Sequence, residues 1–106
     1  MLSSSVRSPI ANLAISNGLR PGLARFAKTL ADELGPRGIR VVSLLPGRID
    51  TPRIRATGLS HGDGVPLGRV GTPEEFGRVA AFVLSPAASS LTGIVLPVDG
   101  GALRSL

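Results

Sequence analysis

An α/β fold, with a parallel sheet covered by helices, is what this sequence predicts, and three observations predict it. Apolar residues Ile15, Leu19, Leu23, Phe26, Ala27, Leu30 and Leu34 recur with helical spacing, the stripe of an amphipathic helix. That helix leads through Gly35-Pro36-Arg37-Gly38 into Ile39-Arg40-Val41-Val42-Ser43-Leu44-Leu45, a β-branched run that is continuously apolar over its second half and so reads as a buried strand. A second pair follows, a helix from Thr72 and a strand over Ile94–Val98. A helix that reaches a buried strand through a short Gly/Pro turn is half of an α/β crossover, which makes the strands parallel and puts helices on the sheet.

The elements follow in order. Leu2 to Ile10 sets three consecutive serines after an apolar start, a strand end that opens into a loop. The long helix begins near Leu13, and Pro21 inside its stripe removes a backbone donor, so a kink or a late start is expected there. Pro46-Gly47 ends the first strand. From Arg48 to Val70 periodicity fades, and Gly58, Gly62, Gly64, Pro66 and Gly68 mark a loop longer than connection alone requires. Thr72-Pro73-Glu74-Glu75 is the sharpest local signal: a Thr N-cap, Pro at the first helical position, and Glu placed to close a capping box. The helix then runs to about Leu84, burying Phe76, Val79, Ala80 and Val83, until Ser85-Pro86 stops it. After the last strand, Asp99-Gly100-Gly101 forms a tight turn with Asp99 as turn former.

Composition bounds the function. With 106 residues the chain is one domain at most, and its apolar fraction of 42% is that of a chain that buries surface. It has no Trp or Tyr and three Phe, so the core is aliphatic and base-stacking platforms are excluded. The net charge is +5, but eleven of the twelve cations are Arg spread singly from Arg7 to Arg104, the pattern of a solvated surface rather than a nucleic-acid footprint. Arg48, Arg53, Arg55 and Arg69 flank the loop and could meet a phosphorylated ligand. Zero Cys removes disulfides, thiol catalysis and Cys-ligated zinc. His61 stands without a second ligand at metal spacing, so no metal site is expected. The N-terminal apolar run is broken by Arg7, Pro9 and Asn12, too polar for a signal or a membrane span, and a cytoplasmic protein is expected.

Four motifs in one order resemble the C-terminal half of the short-chain dehydrogenase/reductase family. They are Leu30-Ala31-Asp32-Glu33-Leu34 with Gly38-Ile39-Arg40-Val41, then Pro46-Gly47-Arg48-Ile49-Asp50-Thr51, then Gly71-Thr72-Pro73-Glu74-Glu75, and finally Leu91-Thr92-Gly93 with Val98-Asp99-Gly100-Gly101. The resemblance implies an incomplete doubly wound, Rossmann-like parallel sheet, with residues 1–106 as a single partial domain and residues 52–70 as a substrate lid. It also implies NADP or NAD as cofactor, carbonyl/alcohol interconversion, a small carbonyl or acyl thioester substrate such as a 3-oxoacyl thioester, and a homo-oligomer. The family's Gly-rich phosphate turn is absent, and roughly 130 residues of its usual chain have no counterpart before Met1. The sequence therefore resembles a fragment, one expected to be inactive alone.

The resemblance assigns site residues one by one. The family's proton-transferring Tyr falls on Ser16, and the Lys four residues later falls on Arg20. An aliphatic hydroxyl is a far weaker acid than a phenol, and Arg keeps the charge but relays no proton. Three readings of the pair stand open: surface residues of a helix's first turn, a substrate hydroxyl with a ribose- or phosphate-holding cation, or a catalytic acid. Ser16-Asn17 to Arg20 is similar to divergent members described as 3-oxoacyl carrier-protein reductases. The carbonyl-binding Ser falls on Ser4, with Ser3 or Ser5 as neighbours in register. Pro46, Gly47, Ile49 and Thr51 match the segment that meets the nicotinamide carboxamide, through the Gly47 and Ile49 backbone and the Thr51 hydroxyl. Val42 stands where the family carries a structural Asn. A non-catalytic dinucleotide-binding or interaction module is the alternative that the missing Tyr and Lys motivate.

Overall fold

The computed structural model describes residues 1–105. Helix α1 spans Ala14–Leu34, strand β1 Val42–Pro46, a short helix α2 Pro52–Ala56, helix α3 Pro73–Leu84 and strand β2 Ile94–Val98, with single 3-10 turns at Ser4–Val6, Gly35–Arg37 and Pro86–Ala88. β1 and β2 pair in parallel, with Val42 opposite Ile94 and Pro46 opposite Val98. On the other edge of β1 the Leu2 N–H donates to the Leu44 carbonyl at 2.8 Å, so the N-terminal residues continue the sheet before turning at Ser4.

The parallel pair demands a crossover, and α3 is its helical part. Thr72 caps that helix as its sequence requires. The Thr72 hydroxyl accepts from the Glu75 N–H at 3.2 Å and the Glu75 carboxylate accepts from the Thr72 N–H at 2.9 Å, a closed capping box. At the far end Arg40 donates to the Val83 and Ser85 carbonyls, at 2.6 and 3.3 Å, tying the helix's orphan acceptors to the chain entering β1. Only Val83 of the expected buried face is buried; Phe76, Val79 and Ala80 are half-covered.

The core is small. Leu45 is fully enclosed and clusters with Leu2 and Ala24, with Val6, Val95 and Leu103 at its margin. Alternation along β1 turns Leu44 to the opposite face, where it too is buried.

Of the two outcomes expected at Pro21, the late start does not occur: α1 runs unbroken through it. One sequence expectation is corrected. β1 begins at Val42 rather than Ile39, because Gly38 is left-handed and the Val41 N–H is taken by the Thr92 hydroxyl at 3.0 Å. The first half of the apolar stripe of α1 lies away from the sheet. The helix meets it through Ala24 and Ala31, while Ile15, Leu19, Leu23 and Phe26 are 79, 71, 50 and 61% exposed. Helical periodicity reports that a face is apolar, not what covers it. Among the described residues no helix is long and apolar enough to cross a membrane.

Candidate functional site

α1 ends where the short link over residues 35–41 turns back into β1, so the helix packs antiparallel to the strand and its N-terminal half lies toward the strand's carboxyl end. Open α/β sheets bind ligands at that end. Ser16 and Arg20, one helical turn apart, project from the same face there: the Arg20 Nε–H donates to Ser16 Oγ at 3.1 Å. Ser16 Oγ in turn lies 3.1 Å from Ser5 Oγ. Ser5 is 3% exposed, whereas Ser16 and Arg20 are half-buried. A guanidinium and two hydroxyls thus form one continuous hydrogen-bonded chain.

Of the three serines it is Ser5, not Ser4, that meets Ser16. Ser3 serves instead as an N-cap, its hydroxyl accepting from the Ser5 N–H at 3.3 Å, and the 3-10 turn rotates Ser4 away and Ser5 inward. Sequence register alone could not separate the three, because a single-turn helix is invisible in a run of serines. Asn17 was also not legible as a site residue. Its side chain accepts from the Ile10 N–H at 3.0 Å and donates to the Ile10 carbonyl at 2.9 Å, clamping the loop that joins Ser5 to Ser16. The left-handed Asn12 shapes the same loop.

At the carboxyl end of β1 the chain continues through Pro46 and Gly47, whose N–H donates to the Val98 carbonyl at 3.0 Å. A Cβ on Gly47 would stand 2.5 Å from Asp99 Cα, so close backbone approach enforces the glycine. Asp99 is held by its own turn, accepting from the Gly101 and Leu103 N–H groups, both at 2.9 Å. Ile49 then bridges to Gly71, with Asp50 N–H to Gly71 carbonyl at 2.8 Å and Gly71 N–H to Arg48 carbonyl at 2.9 Å. This pattern uses the peptide groups on either side of Ile49 and leaves its own N–H and C=O without a partner among the described residues. Thr51 caps α2, its hydroxyl accepting from the Ile54 N–H at 3.4 Å, and its O–H remains a donor. An unpaired N–H, a C=O and a hydroxyl are the donor and acceptor types that a primary carboxamide, such as that of a nicotinamide, would meet. The residues present offer no Gly-rich turn for a pyrophosphate.

The loop cations are largely committed within the chain. Arg48 donates to the Asp63 carbonyl at 2.6 Å, Arg55 grips Asp50 through two bonds of 2.7 and 2.9 Å, and Arg69 grips Glu75 through two of 2.8 and 2.6 Å. Hydrogen bonding from Arg55 lowers the Asp50 pKa, and that from Arg69, with the Thr72 N–H, lowers Glu75 from 4.5 to about 2. Only Arg53 of the expected cluster makes no such contact among the described residues. The loop also carries α2 and is pinned at Val65, which is buried, and at Leu67, whose N–H donates to the Gly100 carbonyl at 3.2 Å. A cavity of about 160 Å³ lies between Arg48, Ile49, Phe76 and Asp99; the hydroxyl pair does not line it. Among the described residues no group of His, Cys, Asp or Glu is placed to hold a metal.

Comparison with known proteins gives a consistent picture. The family profile described as enoyl-(acyl carrier protein) reductase matches residues 1–102. The 3-oxoacyl-[acyl-carrier-protein] reductase FabG of Chlamydia muridarum (strain MoPn / Nigg) is 47% identical over 88 residues, covering 77% of this chain and 35% of that protein. Among solved structures, YwfH, an NADPH dependent reductase involved in bacilysin biosynthesis, superimposes with a TM-score of 0.91 at 29% identity, over 99% of this chain and 46% of its own. An NADPH-bound short chain oxidoreductase from Pseudomonas aeruginosa PAO1 with an atypical catalytic center gives a TM-score of 0.90 at 27% identity, over 99% of this chain and 45% of its own. The chain spans about a third of the length of the curated relatives it matches.

Proposed function

We propose that this chain, which belongs to the short-chain dehydrogenase/reductase family, is the substrate- and nicotinamide-side half of an NAD(P)-dependent carbonyl reductase acting on a 3-oxoacyl thioester. The observation that carries the reading is the Ser5–Ser16–Arg20 chain at the carboxyl end of the sheet. The pyrophosphate cradle is not among these 106 residues, so turnover is assigned to a protein in which this half is joined by one, and the chain by itself is expected to turn over nothing.

A bound nicotinamide cofactor would supply hydride to the substrate's carbonyl carbon. The Ile49 N–H and C=O and the Thr51 hydroxyl would hold its carboxamide. One proton of the Ser5–Ser16 pair is held in their mutual bond and the other is donated to the substrate oxygen, and the Arg20 charge, fixed on Ser16 Oγ, stabilises the negative charge that develops on that oxygen. Neither a serine hydroxyl nor a guanidinium is an acid near neutrality. The site therefore works by polarisation, and the final proton reaches the product oxygen along the hydroxyl pair from water. Residues 52–70 cover the substrate, held at their base by Arg48 and Arg69.

The exposed α1 stripe gives the reading its quaternary part. Ile15, Leu19, Leu23 and Phe26 form a continuous apolar ridge that a second copy covers, making the protein a homo-oligomer.

The test is oxidation of NADPH and NADH, followed by nicotinamide absorbance, against a panel of ketones, aldehydes and 3-oxoacyl thioesters in a protein containing this chain and a nucleotide cradle. Turnover of the thioester is expected. Coenzyme binding with no carbonyl reduced would overturn the enzyme and leave a dinucleotide-binding module.

A further inference from the structure

We infer that the cavity between α3 and the loop that precedes it is a site for a small uncharged apolar ligand, about the size of one aromatic ring. It stands apart from the hydroxyl cluster, since neither Ser5, Ser16 nor Arg20 lines it.

Four parts of the fold wall this space of about 160 Å³ with apolar side chains: Ile49 after β1, Leu67 of the loop, Phe76 and Val79 of α3, and Val98 at the end of β2. An apolar cavity of about 150 Å³ is large enough for benzene. Phe76 and Val79 lie one turn apart on the face that α3 turns inward, yet both are only half-covered, and both line the cavity. Leu67 is 67% exposed although its N–H is pinned to the Gly100 carbonyl at 3.2 Å, which sets its side chain at the opening. Apolar surface is thus left to water at a concave place that the chain does not fill, and a ligand seated there gains the burial that the helix face lacks. It touches the loop and the Ile49 segment at once and so holds the one against the other.

The charged groups around the cavity decide the ligand's character. Arg48 and Arg69 cancel Glu75 and Asp99, and each of the four is hydrogen-bonded within the chain. Arg69 grips Glu75 through two bonds, the Glu75 carboxylate also accepts from the Thr72 N–H, and both Asp99 oxygens accept from backbone N–H groups. An anion would meet Glu75 and Asp99, and a cation Arg48 and Arg69, so an uncharged ligand is the one that enters without a like-charge contact.

The test titrates the backbone-amide NMR spectrum of this chain with benzene and, separately, with benzoate, the same ring carrying a negative charge. Saturable benzene shifts centred on Ile49, Leu67, Phe76, Val79 and Val98 are expected. Affinity should fall about tenfold or more in Val79→Phe, whose added ring occupies the space, and benzoate should bind the parent about tenfold or more weakly than benzene does. Benzene shifts confined to the exposed α1 residues Ile15, Leu19, Leu23 and Phe26, benzoate binding as tight as that of benzene, or benzene affinity unchanged in a folded Val79→Phe would each overturn the inference. If Val79→Phe loses the native spectrum, Val79→Ala takes its place. It widens the cavity, so affinity for p-xylene relative to benzene should rise about threefold or more, and an unchanged ratio would overturn the inference. Benzene binding here with no carbonyl reduced by the larger protein would sink the reductase and spare the site; turnover with no benzene binding would do the opposite.

Discussion

Ser16 stands between a fixed cation and a buried hydroxyl, and the proposed chemistry passes through its oxygen. Replacing it by Ala removes one donor to the substrate oxygen and uncouples Arg20 from Ser5. Loss of a single preorganised donor costs roughly 10²–10³ in kcat, so kcat of the coenzyme-dependent reduction should fall by about that factor in Ser16→Ala, with stability lowered by about 1–3 kcal/mol because the buried Ser5 hydroxyl loses its partner. A variant with kcat within about threefold of the parent would remove Ser16 from the site. The prediction at Gly47 concerns stability alone. Its φ is not among the left-handed values, yet a Cβ there would meet Asp99 Cα at 2.5 Å, and backbone cannot step aside as a flexible side chain would. Gly47→Ala should lower stability by about 1–3 kcal/mol, read as a shift in urea midpoint at constant slope. At this scale the sequence was informative wherever spacing alone fixed the partner. Ser16 and Arg20 lie one turn apart and touch; Ser5 could not be told from Ser4 until a 3-10 turn chose between them.

At the scale of elements, α3 shows local chemistry at its most legible. Thr72, Pro73 and Glu75 announce a capped helix, and the capping box forms with an unannounced addition, the fork of Arg69 on the Glu75 carboxylate. That grip puts the folded-state Glu75 pKa at about 2, below its ordinary 4.5. A depressed carboxylate contributes stability above its unfolded pKa and loses it as pH falls through the folded one. Melting temperature should therefore drop between pH 4.5 and 2, in the same direction as the Asp50–Arg55 pair, and Glu75→Gln should flatten that dependence. A Glu75→Gln profile as steep as the parent's would refute the assignment. Helix α1 shows the limit of reading elements from sequence. Its stripe was visible, but Ala24 and Ala31 bury instead, since small residues let a helix approach a sheet closely and leave its long apolar side chains outside. Leu19→Glu at the centre of that ridge should shift sedimentation from oligomer to monomer. A parent chain that sediments as a monomer would contradict the covering copy.

The molecule as a whole is a two-stranded parallel sheet with one helix anchored by alanines and another by a capping box, drawn together around Leu45. Its order of elements was legible because each boundary carried its own signal: Gly38 before β1, Thr72 before α3, Gly100-Gly101 after β2. What was not legible is what covers an apolar face. No periodicity encodes whether a face is met by a sheet, a second copy or solvent. The central claim is that this half receives the substrate oxygen while hydride is delivered to the adjoining carbon. Its most direct measurement is reduction of a 3-oxoacyl thioester with coenzyme deuterated at nicotinamide C4, using a protein that joins this chain to a nucleotide cradle. The account predicts deuterium on the new carbinol carbon, with labelled product formed about 10²–10³ times more slowly in Ser16→Ala. A product formed without deuterium at that carbon, or labelled product formed at an undiminished rate by Ser16→Ala, would contradict it.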